Sequence, residues 1–201
     1  MKKKTFDSII IIFVIIGLIL SFTSGEGTLI SKGIDNFKYY TVLSNVLCGV
    51  VALIRLICKK TSEKIRLLKY TAAGVVTVTF LTILLFLGPL YGYSNMYKNA
   101  NLWFHLIIPI VALIDIYVTD AGPRFKIKTL FLTTIPTVIY GTVYLANNLI
   151  NGVGTWPNTN DWYGFLNWGL PVGILIFAVI TAVNFVVVCV LQIVISLRKN
   201  A

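Results

Sequence analysis

Charge is scarce in this chain. Of its 201 residues only 12 % are Asp, Glu, Lys or Arg, about half of what a soluble domain carries. With hydrophobic residues at 57 %, that excludes both an ordinary water-soluble enzyme and a disordered segment. Cysteine is limited to Cys48, Cys58 and Cys189, all in or at the ends of apolar runs, so no disulfide framework is expected. One histidine and no Cys-x-x-Cys pair make no transition-metal ligand set. No glycine-rich loop could cradle a phosphate. No metal, nucleotide or covalent cofactor is therefore expected. Acidic residues number 7 against 17 basic ones, for a net charge of +10. Nucleic-acid binding would gather the basic residues on a face or stripe. Here they cluster between apolar runs, which points away from nucleic acid.

What the chain does have is apolar length. A helix needs about 20 mostly apolar residues to cross a bilayer. Six stretches meet that length, over 6–23, 39–57, 68–90, 101–118, 128–148 and 169–196. There is no internal repeat and no linker, so residues 1–201 read as one all-α, six-span membrane domain. If the N-terminus is cytoplasmic, the inner side holds Lys2, Lys3, Lys4, Arg55, Lys59, Lys60, Lys64, Arg66, Lys69, Arg124, Lys126, Lys128, Arg198 and Lys199. The outer side then holds only Lys32, Lys38 and Lys98. The positive-inside rule accordingly predicts both termini in the cytoplasm. Trp103, Trp156, Trp162 and Trp168 then fall on the outer side, as in an interfacial belt. The basic, apolar start followed by Thr23-Ser24-Gly25 also has the look of a signal peptide; an uncleaved first span is the expectation. The expected location is a bacterial plasma membrane, as a multi-pass protein among membrane lipids.

Polar residues inside the spans mark a layer. Thr41, Ser44, Asn45 and Cys48 lie at i, i+3, i+4 and i+7, one helical face. Such a stripe also serves as packing glue between membrane helices. In the fourth span Asn101, His105, Ala112 and Asp115 share a face. An ionisable group within a span is a functional candidate by default; the plain alternative is a neutral histidine bonded to a neighbouring helix. Pro109 cannot donate to the His105 carbonyl, so a kink with a free carbonyl beside the imidazole is expected. Spans 2 and 4 run in the same direction, and Thr41 and His105 fall at depths within about 3 Å of each other. Asp115 lies about 15 Å deeper than His105, too far to orient the imidazole, and reads as an interior polar contact. In span 5, Thr133, Thr137, Tyr140, Tyr144 and Asn147 follow one face, with Tyr144 and Asn147 near the Thr41–His105 level.

A threonine hydroxyl becomes a nucleophile when a base takes its proton, and His105 is the one side chain here that titrates near neutrality. Together they could attack an ester carbonyl and form an acyl-threonine. Ser44, Asn45, Tyr144 and Asn147 are candidates to hold the oxyanion or position the substrate; spacing does not choose among them.

Several segments carry a resemblance: Tyr40-Thr41-Val42-Leu43-Ser44-Asn45, His105 with Pro109 and Asp115, Pro136 with Tyr140 and Tyr144, and Trp162-Tyr163-Gly164-Phe165-Leu166-Asn167. The chain resembles the androgen-induced membrane protein family, especially its bacterial six-span branch, over nearly its whole length. In that family the last segment is closer to Trp-x-Tyr-Pro-Phe-Leu-Asp; here Gly164 and Asn167 replace Pro and Asp. Animal members are threonine hydrolases of fatty-acid esters of hydroxy fatty acids. The resemblance therefore implies a lipid-ester substrate, with Thr41 as nucleophile and His105 as its base. The alternative is a non-catalytic lipid- or solute-binding bundle, transporter-like in its use of the same polar layer. The absence of an inverted repeat and of paired broken helices speaks against a secondary transporter.

Overall fold

The computed structural model describes residues 2–23, 32–58, 61–155 and 158–200. Lys59, Lys60, Trp156 and the Ser24-Gly25 pair lie outside them, as do the side chains of Lys2 and Lys199. Among the described residues the fold is entirely helical, without strands. Six helices are long and apolar enough to cross a membrane: α1 (Lys3–Thr23), α2 (Tyr40–Ile57), α3 (Glu63–Tyr91), α4 (Ala100–Thr119), α5 (Ile127–Asn151) and α6 (Leu170–Arg198). The shortest has 18 residues, about 27 Å of rise, near the thickness of a hydrocarbon core. The protein is thus a multi-pass membrane protein, as its composition requires. The even number of spans brings the C-terminus back to the face where the chain begins, here called the terminal face; the opposite side is the far face.

α3 is the central helix and packs against α2, α4 and α6. Half of its most apolar window is buried, against 17 % for α6, so α6 spends most of its surface on lipid. α1 lies against α2 and α4, where Gly17 admits the Phe104 ring. A Cβ at Gly17 would sit 2.5 Å from that ring. Gly74 performs the same service for α6, since a Cβ there would meet Val188 at 2.5 Å and Asn184 at 2.8 Å. Small residues at such crossings let membrane helices approach closely.

At the terminal face, charge closes the bundle. Arg55 Nη1 on α2 lies 2.9 Å from Asp7 on α1 and 2.6 Å from Asp115 on α4; Lys69 on α3 lies 3.0 Å from the same Asp115. Two cations and two anions from four helices make a neutral buried quartet. Thr119 adds a hydroxyl bond to Asp115 at 2.9 Å and accepts from Lys69. Beside it, Asp120 pairs with Arg66 at 2.7 Å and accepts from Tyr70 at 3.0 Å. Burial alone would raise the Asp120 carboxyl. The Arg66 guanidinium, the Tyr70 hydroxyl and the Gly122 amide outweigh it and hold Asp120 below the usual carboxylate value.

The proline-bearing helices do not simply kink. α4 carries a π-turn over Trp103–Ile107 just before Pro109, and α3 carries one over Ile83–Leu87 just before Pro89. In α4 the Ile108 amide reaches Trp103 and Pro109 has no N–H. The Phe104 carbonyl accepts instead from Asn45 Nδ2 at 3.0 Å. In α3 the Gly88 amide reaches Ile83, and the Leu84 carbonyl accepts from the Tyr93 hydroxyl at 2.8 Å. The carbonyl taken up by an outside donor in α4 is therefore that of Phe104, one residue before the one expected. The same spacing of π-turn and proline recurs in both helices, and both turns border the cavity described next.

Candidate active site

Thr41 and His105 open onto one cavity of about 130 Å³ at the far-face end of the bundle, together with Tyr40, Thr79, Thr137, Tyr140 and Tyr163. Thr41 sits in the first turn of α2, half-buried. His105 is 2 % exposed and stands at the middle of the π-turn over Trp103–Ile107. Its Nδ1 lies 2.8 Å from the Met96 carbonyl. A carbonyl can only accept, so Nδ1 carries the proton and Nε2 is left with its lone pair. Nothing among the described residues bonds Nε2. Met96 is held in place by a one-turn helix, Tyr93–Met96, that starts after Gly92 (φ +84°) and is followed by Asn99 (φ +48°). Asn99 is the non-glycine residue at positive φ among those described, a conformation that costs free energy and collects at functional sites.

Asn45 ties the two candidate residues together. Its Nδ2 donates to the Thr41 carbonyl at 2.7 Å and to the Phe104 carbonyl at 3.0 Å, the residue before His105. One side-chain amide thus locks the register of α2 against α4. Ser44 Oγ also donates to the Thr41 carbonyl, at 2.9 Å, and lies 3.3 Å from Thr79 Oγ1. Neither Ser44 nor Asn45 lines the cavity. Tyr144 is buried beneath it, donating to Asp161. Asn147 is half-buried near the end of α5, where it accepts from Asn151 at 2.8 Å. Of the six residues singled out from sequence, the structure brings Thr41 and His105 to the cavity. Ser44 and Asn45 brace Thr41 from behind, and Tyr144 and Asn147 stand off the cavity. Asp115 belongs to the charged quartet at the terminal face.

The far wall of the cavity comes from a loop that sequence periodicity does not reach. The Asp161 carboxylate gathers the Tyr144 hydroxyl, the Phe165 amide at 2.9 Å and the Leu166 amide at 2.9 Å. This knot folds the loop back over the bundle and sets Tyr163 and Phe165 into the lining. The Tyr163 hydroxyl accepts from the Tyr40 amide at 2.9 Å, one residue from Thr41. Trp162 Nε1 donates to Tyr140 at 3.1 Å, so Trp162 faces inward, while Trp168 is exposed. Gly164 lies at φ +69°, open to glycine and closed to the proline of the family pattern, whose φ is held near −65°. The aromatic cluster Trp162-Tyr163-Gly164-Phe165 was the signal that could have marked the loop.

On α3 and α6 the lining residues Thr82, Leu87 and Ile180 are half-buried and Tyr91 is exposed. Their exposed neighbours Phe86, Leu90 and Val179 are apolar, so on this side the cavity adjoins an apolar outer surface of the bundle. A larger groove of about 500 Å³ runs between α5 and α6 and shares Thr137 and Phe177 with the cavity. Among the described residues no group of three or more His, Cys, Asp or Glu side chains could hold a metal ion. No family model, curated protein or solved structure matches the chain.

Proposed function

We propose that the protein is an intramembrane lipid-ester hydrolase in which Thr41 is the nucleophile and His105 its general base. Thr41 Oγ attacks the ester carbonyl carbon while His105 Nε2 takes the hydroxyl proton. The tetrahedral intermediate expels the alcohol, which receives that proton, and an acyl-threonine remains. Water activated by the same Nε2 then releases the acid and restores Thr41. The observation that carries the reading is the shared cavity, with a histidine whose Nδ1 is committed and whose Nε2 is free. The resemblance to the androgen-induced membrane protein family supports it, because its motifs fall on these two residues.

Cavity size narrows the substrate. About 130 Å³ is close to the apolar cavity of roughly 150 Å³ that holds one benzene. An ester group and a few carbons fit; a long acyl chain must continue outside, and the adjoining lipid-facing groove offers it a path. Lateral entry of a long-chain ester follows, with each methylene withdrawn from water contributing about 0.8 kcal/mol. The location that suits this reading is a bacterial plasma membrane, with both termini cytoplasmic and the cavity toward the outer leaflet.

Purified protein in liposomes tests the proposal. Thr41→Ala and His105→Ala each lower turnover of a long-chain ester by about a thousandfold or more, and the double variant is hardly worse than either, as for groups sharing one step. Thr41→Ser keeps part of the activity. A fluorophosphonate probe labels the wild type and not Thr41→Ala. Equal labelling and equal turnover in wild type and Thr41→Ala would instead identify a lipid-binding bundle that performs no chemistry.

A further inference from the structure

An ester carbonyl attacked by Thr41 gains a full negative charge on oxygen, and an apolar cavity leaves that charge unsupported unless a donor is built in. The sequence candidates for this task are engaged elsewhere. Asn45 uses its Nδ2 on two backbone carbonyls, Ser44 donates to the Thr41 carbonyl, and Tyr144 donates to Asp161. Most hydroxyls of the lining are also committed. Thr79 and Thr82 donate back to Val75 and Val78 of their own helix, and Tyr140 donates to the Lys38 carbonyl at 2.7 Å. Tyr40 and Thr137 bond each other at 2.7 Å, and Thr137 also accepts from Asn184 at 2.7 Å. Tyr91 is half exposed at the mouth. Tyr163 is different: as a lining phenol it accepts from the Tyr40 amide, and among the described residues its proton interacts with the neighbouring Tyr140 hydroxyl and no other acceptor.

Resting on the hydrolase reading above, we propose that Tyr163 is a catalytic residue whose hydroxyl donates to the carbonyl oxygen of the ester as it becomes an oxyanion, with the backbone amide of Thr41 as the second donor. The Thr41 amide lies in the first turn of α2, whose carbonyl-side ladder offers it no acceptor, and no hydrogen bond engages it among the described residues. The amide just before it, that of Tyr40, holds the Tyr163 oxygen at 2.9 Å. The two donors are therefore tethered one residue apart at the foot of the nucleophile. When the carbonyl arrives, Tyr163 exchanges its bond with Tyr140 for one with the substrate, and Tyr140 keeps its bonds to Lys38 and Trp162. No covalent bond to Tyr163 forms or breaks. Burial raises its ionisation well above the usual phenol value, so it remains a protonated donor at any working pH. The Asp161 knot makes the donor rigid: the carboxylate holds the backbone just after Gly164, and the Tyr144 hydroxyl that it gathers accepts from the Tyr163 amide at 3.4 Å.

Tyr163→Phe keeps the ring and removes the proton. In liposomes it is expected to lower kcat for a long-chain ester about a hundredfold, the loss typical of one oxyanion donor, with KM changed less than about threefold. A long-chain trifluoromethyl ketone, which adds to Thr41 as an oxyanion, should lose affinity by a similar factor, while the matching methyl ketone does not. A merely loosened loop would weaken both ketones alike and would overturn the proposal. If Tyr163→Phe is poorly folded by thermal melting, 3-fluorotyrosine at position 163 keeps the shape and makes the phenol a more acidic donor; the trifluoromethyl ketone is then expected to gain affinity relative to the methyl ketone, and an unchanged ratio overturns the proposal. Wild-type kcat in well-folded Tyr163→Phe, with Thr41→Ala inactive, overturns this inference and leaves the hydrolase reading standing. Equal turnover by wild type and Thr41→Ala removes both.

Discussion

The layer at the terminal face and the layer around the cavity both bury polar side chains among apolar helices, and they do it in opposite ways. At the terminal face Asp7, Arg55, Lys69 and Asp115 cancel in charge across four helices; only about 10 Å³ lies between Arg55, Lys69 and Asp115 on the bundle side, while Arg55 and Lys69 border a pocket of about 180 Å³ on the other. Around the cavity the lining groups are neutral. Outside the cavity lining, Asn45, Asn101, Asn148 and Asn184 each keep one buried polar atom without a hydrogen-bond partner among the described residues, whereas at the terminal face the Asp7 oxygen in that position is taken up by its ion pair with Arg55. A charge in lipid must be paired, so it ends as a clamp. A neutral hydroxyl or imidazole can wait with a lone pair or proton uncommitted, which is what chemistry needs.

The largest expected effect that would break this contrast lies in the clamp. Asp115→Ala leaves Arg55 and Lys69 facing each other in the bundle and should cost about 3–5 kcal/mol, the range for an orphaned buried charge. Thermal melting in detergent reads it directly. The folded fraction should hydrolyse ester at the wild-type rate; a loss of kcat without a loss of stability would mean that the two layers are not separate.

Asn45 sits between the layers in kind, a neutral group used as a brace. Asn45→Ala leaves the Phe104 carbonyl without its donor, at a cost of about 1–3 kcal/mol, while the Thr41 carbonyl keeps Ser44. Because it ties α2 to α4 next to both candidate residues, turnover should fall by more than the stability loss explains. If melting falls and kcat stays, the register of the two helices is set elsewhere and Asn45 joins the structural group.

The smallest perturbation concerns which side of the membrane each layer faces, and it should leave stability unchanged. Lys98 and Lys64 are exposed on opposite faces. With the exposed Cys58 replaced by serine, Lys98→Cys should react with an impermeant maleimide in intact cells and Lys64→Cys should not. The reverse labelling would turn the cavity toward the cytoplasm.

Some of this was legible before any coordinates. The six apolar runs, with ends within a few residues of the helices apart from the start of α3, follow from hydropathy. Thr41 and His105 emerged from helical periodicity and depth, because a count of residues still gives an approximate height even where α4 widens into its π-turn over Trp103–Ile107. Arg55 and Lys69 were readable only as loop-side positive charge, since their pairing with Asp7 and Asp115 depends on which helices become neighbours. The proline at 109 announced a broken ladder; that the ladder becomes a π-turn, and that Asn45 serves the Phe104 carbonyl, required the partner helix.

The sequence by itself determined that this chain lives in a membrane as six helices and that a threonine and a histidine stand at one depth, because spacing along a helix converts directly into height and face. Only the tertiary structure decided that they share a cavity, that Asn45 is a brace, and that Asp161 folds Tyr163 back over them. Those outcomes hang on contacts between residues as far apart as Tyr40 and Tyr163, and no local periodicity carries information across that distance.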